Sequence, residues 1–146
     1  MNNGIEISSD PARLDPAAIH HFLATESHWA QGIPLELVER SIRGSLCFGA
    51  YAGTAQIAFA RVVTDGATFA YLCDVFVLPE YRGRGVARRL LDAVFADPRL
   101  QGLRRFALAT RDASGLYANF GFTPLARPSI WMERHNPHVY ATEYTA

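Results

Sequence analysis

The chain has 146 residues, 49% of them apolar and 19% charged, with fourteen basic side chains balancing fourteen acidic ones. That length suits a single domain, residues 1–146, which can bury about two thirds of its unfolded surface without a metal or disulfide staple. The balance leaves no global field to attract nucleic acid or an anionic membrane, and no apolar run approaches the roughly 20 residues that cross a bilayer.

Residues 1–10 are too polar for a signal peptide, so a cytoplasmic protein is expected. Alternation at residues 5–8 predicts a short first strand. Asp15-Pro16 supplies a cap and a first-turn proline for a helix to about Glu26, with Ile19, Phe22 and Leu23 on its apolar face. Ile33-Pro34 opens a second helix through Leu35, Leu37 and Val38 to Ile42, leaving 27–32 as an aromatic loop suited to a substrate wall.

Three strands follow at 46–51, 56–63 and 69–77, and the turn signals around Gly53 and Asp65-Gly66 make them antiparallel neighbours. Cys47 and Cys73 lie in these strands, where buried, reduced, inert thiols are expected. The strand at 69–77 is apolar on both faces except at Asp74, which marks it as central. Val86, Leu90, Leu91, Val94 and Phe95 then give a helix with one buried face, ended by Asp97-Pro98. A strand at 106–109, a short helix at 112–120 closed by Gly121, and a final pair of strands at 122–125 and 130–133 complete the pattern.

Between the central strand and the helix at Val86 lies Glu80-Tyr81-Arg82-Gly83-Arg84-Gly85-Val86-Ala87-Arg88-Arg89. No Ser, Thr, Asp or Asn stands at the helix boundary to cap its first turn, and the arginines crowd the end that is electrostatically unfavourable for cations. A bound anion, phosphate above all, resolves both conflicts, and the glycines let the backbone approach it. A P-loop is absent, and a dinucleotide fingerprint starting at Gly83 and Gly85 meets Arg88 where a small residue is required.

Arg82-x-x-Gly85-x-Ala87 after a central strand resembles the pyrophosphate loop of the GCN5-related N-acetyltransferase (GNAT) superfamily, and Leu116-Tyr117-Ala118-Asn119-Phe120-Gly121-Phe122 resembles its Leu-Tyr-x-x-x-Gly-Phe segment. The resemblance implies an α/β (α+β) fold: a mixed, mostly antiparallel sheet of six to seven strands flanked by about four helices, splayed between its two central strands to admit acetyl-CoA. Acceptor-side helices would occupy about 15–44 and the coenzyme-binding core about 69–122. Acetyl-CoA is then the co-substrate, an amine the acceptor, and no metal is called for; a homodimer is compatible with such a domain. Backbone N–H groups of Gly83, Arg84, Gly85, Val86, Ala87 and Arg88, with Arg82 opening the loop, would hold the pyrophosphate. Main-chain atoms of Phe76 and Val77 would pair with the pantetheine arm. Thr110 stands where many members carry an Asn near that arm.

Acetyl transfer needs an acid for the departing thiolate and a route for the amine proton. The resemblance places Tyr117 as the acid, although Ala113, Leu116, Tyr117 and Phe120 also share one helical face that core packing would explain. Asp74, a lone acid in an apolar strand, is either the base or an acceptor of structural hydrogen bonds, with Tyr71 the other polar group nearby in the strand. His28, Trp29 and Tyr71 are candidates for the acceptor pocket, and an N–H of the central strand, from Phe76, for the oxyanion. The expected reaction is acetylation of a small-molecule primary amine by direct attack in a ternary complex. A protein lysine or N-terminal acetyltransferase, or a non-catalytic acetyl-CoA-binding module, are the alternatives.

Overall fold

Strands β1 (Ile5–Ser8), β2 (Leu46–Ala52), β3 (Ala55–Thr64), β4 (Phe69–Val77) and β5 (Arg105–Leu108) lie side by side in chain order as one sheet. They belong to the first of two units into which the chain divides, residues 1–109 and 110–146, and the computed structural model describes residues 4–141. β1 to β4 are antiparallel, with short turns joining β2, β3 and β4 and the helices of residues 9–45 joining β1 to β2; β4 and β5 are parallel because the chain returns through helix α3 (Val86–Ala96). β3 carries an unbroken buried run from Gln56 to Ala60, and α3 packs Val86, Leu90, Leu91 and Val94 into the same core.

Helix α1 (Pro16–Thr25) starts where the Asp15 carboxylate accepts the Ala18 N–H at 3.1 Å, and it buries Ile19, Phe22 and Leu23. The Phe22 ring stacks on Phe76 of β4 with centroids 4.0 Å apart, which fixes α1 against the strand carrying the site. Helix α2 (Leu35–Arg43) is anchored mainly by the fully buried Val38. The loop between them is ordered by Ser27, whose buried hydroxyl donates to the Leu23 carbonyl at 2.7 Å and accepts the Ala30 N–H at 3.0 Å.

Two irregularities in β4 shape the site. Phe59 pairs with Phe76 but Arg61 pairs with Cys73, so two residues of β4, Asp74 and Val75, oppose the single Ala60. This is a β-bulge, and Asp74 adopts φ 54° within it, the only positive φ of a non-glycine residue among those described. Pairing with β5, meanwhile, runs only from Phe69–Arg105 to Leu72–Leu108. β5 ends at Leu108, so beyond Leu72 β4 continues for five residues with no β5 residue in register.

In the second unit, helix α4 (Ser114–Ala118) is shorter than the expected 112–120, and Gly121 follows at φ 89°, its left-handed turn returning the Phe122 N–H to the Tyr117 carbonyl at 3.2 Å. The expected strands at 122–125 and 130–133 do not form: residues 128–130 make a single 3-10 turn, and no strand lies between 110 and 141. Pro124 and Pro128 explain the difference, since each removes a ladder donor and constrains the residue before it. The described sheet therefore has five strands where six or seven were expected, with the four helices and the mostly antiparallel order as anticipated.

Candidate active site

Asp74 sits at the bulge with both carboxylate oxygens engaged. Oδ2 accepts Arg61 Nε at 2.8 Å and Oδ1 accepts the indole Nε1 of Trp29 at 2.8 Å. The two side chains of the ion pair are only 18% and 11% exposed, which places the pair well out of bulk solvent. Burial alone would lower the Arg61 pKa; the charge and hydrogen bond of Asp74, together with the neighbouring Cys73 and Cys47, outweigh it and hold the guanidinium above its ordinary value. Arg61 was not among the sequence candidates. The available signal was a cation inside the otherwise apolar run Ile57 to Val63, but its partner depends on a register and a bulge that the sequence does not spell out.

Cys47, Arg61 and Cys73 face one another across β2, β3 and β4 and so share one sheet face. Burial pushes the Cys47 thiol up to about 12 and Cys73 to about 11, only partly opposed by the charge of Arg61, so both stay protonated at neutral pH. Both thiols are free; Cys47 is buried as expected, whereas Cys73 is only half-buried. His28, Trp29 and Tyr71 are all exposed, and His28 meets Trp29 edge to face at 5.0 Å in the loop that carries both. Trp29 thus joins Asp74 in one constellation.

The loop after β4 reaches α3 through Gly83 at φ 76° and Gly85 at φ 75°, and Gly85 is the N-cap with no side chain capping the helix. The first intrahelical bond runs from the Arg89 N–H to the Gly85 carbonyl at 3.1 Å, so the amides ahead of it have no acceptor within the helix. A Cβ built on Gly83 or Gly85 would meet nothing within 4 Å, so both glycines border open space. The arginines are less available than their number suggests. Arg82 Nε donates to the Val77 carbonyl at 2.9 Å, Arg89 Nη2 donates to the Ile5 carbonyl at 2.8 Å, and the Arg84 guanidinium lies 5.2 Å from the centre of the Tyr81 ring. Val77 thereby has its carbonyl partly engaged by the loop itself, while Phe76 and Val77 lie on the part of β4 with no β5 residue in register. Val86, at the helix start, is buried and anchors the turn; Ala87 and Arg88 follow it.

In the second unit Tyr117 is buried on α4, edge to face with Phe122 at 6.1 Å, and desolvation raises its phenol above the ordinary value. A raised phenol keeps its proton at neutral pH, as an acid must. Thr110 Oγ1 accepts the Ala113 N–H at 3.0 Å, so its lone pairs serve the turn into α4. Among the described residues, no three His, Cys, Asp or Glu side chains gather as a metal site.

The last five residues of β4, without a β5 partner in register, and the uncapped start of α3 after the following loop offer backbone groups of the kind that extended ligands and anions engage. The family follows from the comparisons. Residues 43–124 match the model of the acetyltransferase (GNAT) domain, and the chain belongs to this family. A Gibberella zeae protein whose name is that of an acetyltransferase is 35% identical over 133 residues, covering 76% of this chain and 74% of its own. The crystal structure of a GNAT-family protein from Xanthomonas campestris pv. campestris is 56% identical, covers 94% of this chain and 97% of its own, and superposes with a TM-score of 0.92. A GNAT acetyltransferase from Elizabethkingia anophelis with acetyl-CoA bound, 18% identical over 82% of this chain and 76% of its own at a TM-score of 0.60, shares the fold. The chain is an acetyl-CoA-dependent acyltransferase that transfers the acetyl group to an amine.

Proposed function

We propose that the acceptor is a small molecule carrying a primary amine, and that the amine attacks directly in a ternary complex. The observation that carries this reading is the carboxylate of Asp74 at the β4 bulge, two residues before Phe76 and hydrogen-bonded to the exposed Trp29 of the α1–α2 loop. It brings an acceptor for amine protons and an aromatic wall to the strand that would hold the thioester.

The coenzyme supplies the thioester; the chain supplies the rest. Backbone N–H groups of Gly83 to Arg88 hold the pyrophosphate, with Arg82 bracing the loop from below through Val77. Main-chain atoms of Phe76 and Val77 hold the pantetheine arm along the end of β4 that has no β5 residue in register, and the Phe76 N–H steadies charge on the carbonyl oxygen. Asp74 receives the amine proton, with Tyr71 or water as the other route, and Tyr117 gives a proton to the departing sulfur. His28, Trp29 and Tyr71 line the acceptor side, and the Thr110 hydroxyl proton serves the arm. No described helix is long and apolar enough to cross a membrane, and the coenzyme's abundance inside cells supports a cytoplasmic place of action, as a single domain able to pair as a homodimer.

Thiol release from acetyl-CoA, measured with a panel of small amines and a panel of lysine and N-terminal peptides, tests this. Turnover with small amines at least tenfold above the peptides is expected. The reverse order makes the chain a protein acetyltransferase, and binding without turnover makes it a sensing module.

A further inference from the structure

Arg61 stands outside the coenzyme loop, yet it is the middle of a hydrogen-bonded chain that ends at the acceptor loop. The Ser45 hydroxyl, just past α2, donates to the Ser41 carbonyl at 2.7 Å and accepts from Arg61 Nη1 at 2.9 Å. Arg61 Nε donates to Asp74 Oδ2, and Trp29 Nε1 donates to Asp74 Oδ1, both at 2.8 Å. Helix α2, strands β3 and β4 and the loop at 27–32 therefore meet at one carboxylate.

The two oxygens of that carboxylate differ. Oδ2 faces a guanidinium fixed from behind by Ser45, whereas Oδ1 faces Trp29, the exposed residue of the set at 44%. The terminal torsion of an aspartate is soft, so one donor alone would not set the carboxylate plane. Arg61 on Oδ2 sets it, and the left-handed backbone at Asp74 aims the side chain there. An oxygen already accepting the indole N–H has capacity for a second donor.

We propose that Arg61 is a positioning residue for acetyl transfer: holding Asp74 by Oδ2, it presents Oδ1 to the loop at 27–32, where Oδ1 takes an N–H of the acceptor amine and the Trp29 indole takes its apolar stem. This assignment rests on the acetyl-transfer reading and narrows the acceptor to a primary amine on an apolar or aromatic stem. An ammonium head also gains from the indole face.

The chain has two tryptophans, so its 15N-labelled spectrum carries two indole N–H signals, assigned by Trp29→Phe. Asp74→Asn and Arg61→Lys are expected to shift the Trp29 signal and speed its solvent exchange about tenfold. With 2-phenylethylamine as acceptor, Arg61→Lys should lower kcat/KM roughly tenfold, chiefly through KM, with acetyl-CoA affinity within about twofold of the parent. Arg61→Lys combined with Asp74→Asn should lose no more than Asp74→Asn alone, since Arg61 acts through Asp74. A Trp29 signal indifferent to both substitutions, or additive kinetic losses, overturns the proposal. The indole measurement needs no substrate, so it decides the role of Arg61 even if 2-phenylethylamine is not turned over, an outcome that strikes the acceptor assignment instead.

Discussion

The hydroxyl of Tyr51 is fully buried in β2 and finds no protein hydrogen-bond partner, while the Arg13 guanidinium lies 4.3 Å above the ring. A buried unpaired hydroxyl is a cost of about 1–3 kcal/mol, so Tyr51→Phe should raise Tm by a few degrees, read by calorimetry. A fall in Tm would show that the hydroxyl is satisfied, for instance by an ordered water. The neighbouring Gly49 behaves oppositely: a Cβ there would lie 2.8 Å from the ring carbon that carries the Tyr51 hydroxyl, and Gly49→Ala should cost roughly 1–3 kcal/mol through overpacking. Tyr117 has a different relation to its hydroxyl. Tyr117→Phe keeps the buried ring and its edge-on contact with Phe122 and removes only the proton donor. Turnover should drop by ~10²-fold or more with acetyl-CoA affinity near that of the parent, as for a lost general acid. Near-normal turnover would make Tyr117 a packing residue.

At the scale of elements, the turn between β3 and β4 hangs on one carboxylate. Asp65 accepts N–H groups of Ala67, Thr68 and Phe69 and the Thr68 hydroxyl, at 2.8 to 3.2 Å. These bonds favour the charged form and hold the Asp65 pKa well below the usual carboxylate range. A group with a depressed folded pKa stabilises fully above its unfolded value near 3.9 and loses that contribution as pH falls toward the folded pKa. Melting curves should therefore show a decline below about pH 4 that is shallower in Asp65→Asn. An identical slope in the variant would assign the decline to other carboxylates. This turn was legible in the sequence from Asp65-Gly66, as was the uncapped start of α3, because both depend on a few adjacent residues. The Arg61–Asp74 pair was not, since it depends on which residues of β3 and β4 face each other and on the bulge that shifts them. Asp74 stood out as an acid in an apolar strand, but nothing adjacent in the chain named its partner. The final strands failed for the opposite reason: the apolar and aromatic residues at 122–125 and 130–133 were local and visible, and Pro124 and Pro128 outweighed them.

At the scale of the whole molecule, the coenzyme loop and the folding equilibrium are linked. A ligand that binds only the folded chain at 100 times its Kd adds about 2.7 kcal/mol, which for a chain of this length is roughly 8–10 °C in Tm. Acetyl-CoA should produce that shift, and Gly85→Val should remove most of it, because the branched side chain would fill the open space that Gly85 borders at the start of α3. Valine at φ 75° also strains the backbone by about 1–2 kcal/mol, so the variant will melt earlier even without ligand. Gly53→Val provides the control. Gly53 has φ 63° in the β2–β3 turn with nothing within 4 Å of its Cβ position, so the substitution imposes comparable strain away from the loop. Both variants should melt several degrees early; only Gly53→Val should still gain the full shift from acetyl-CoA. A full shift in both would mean that the amides ahead of α3 do not hold the pyrophosphate, whereas an equally reduced shift in both would mean that strain alone, wherever it sits in the fold, is enough to weaken binding.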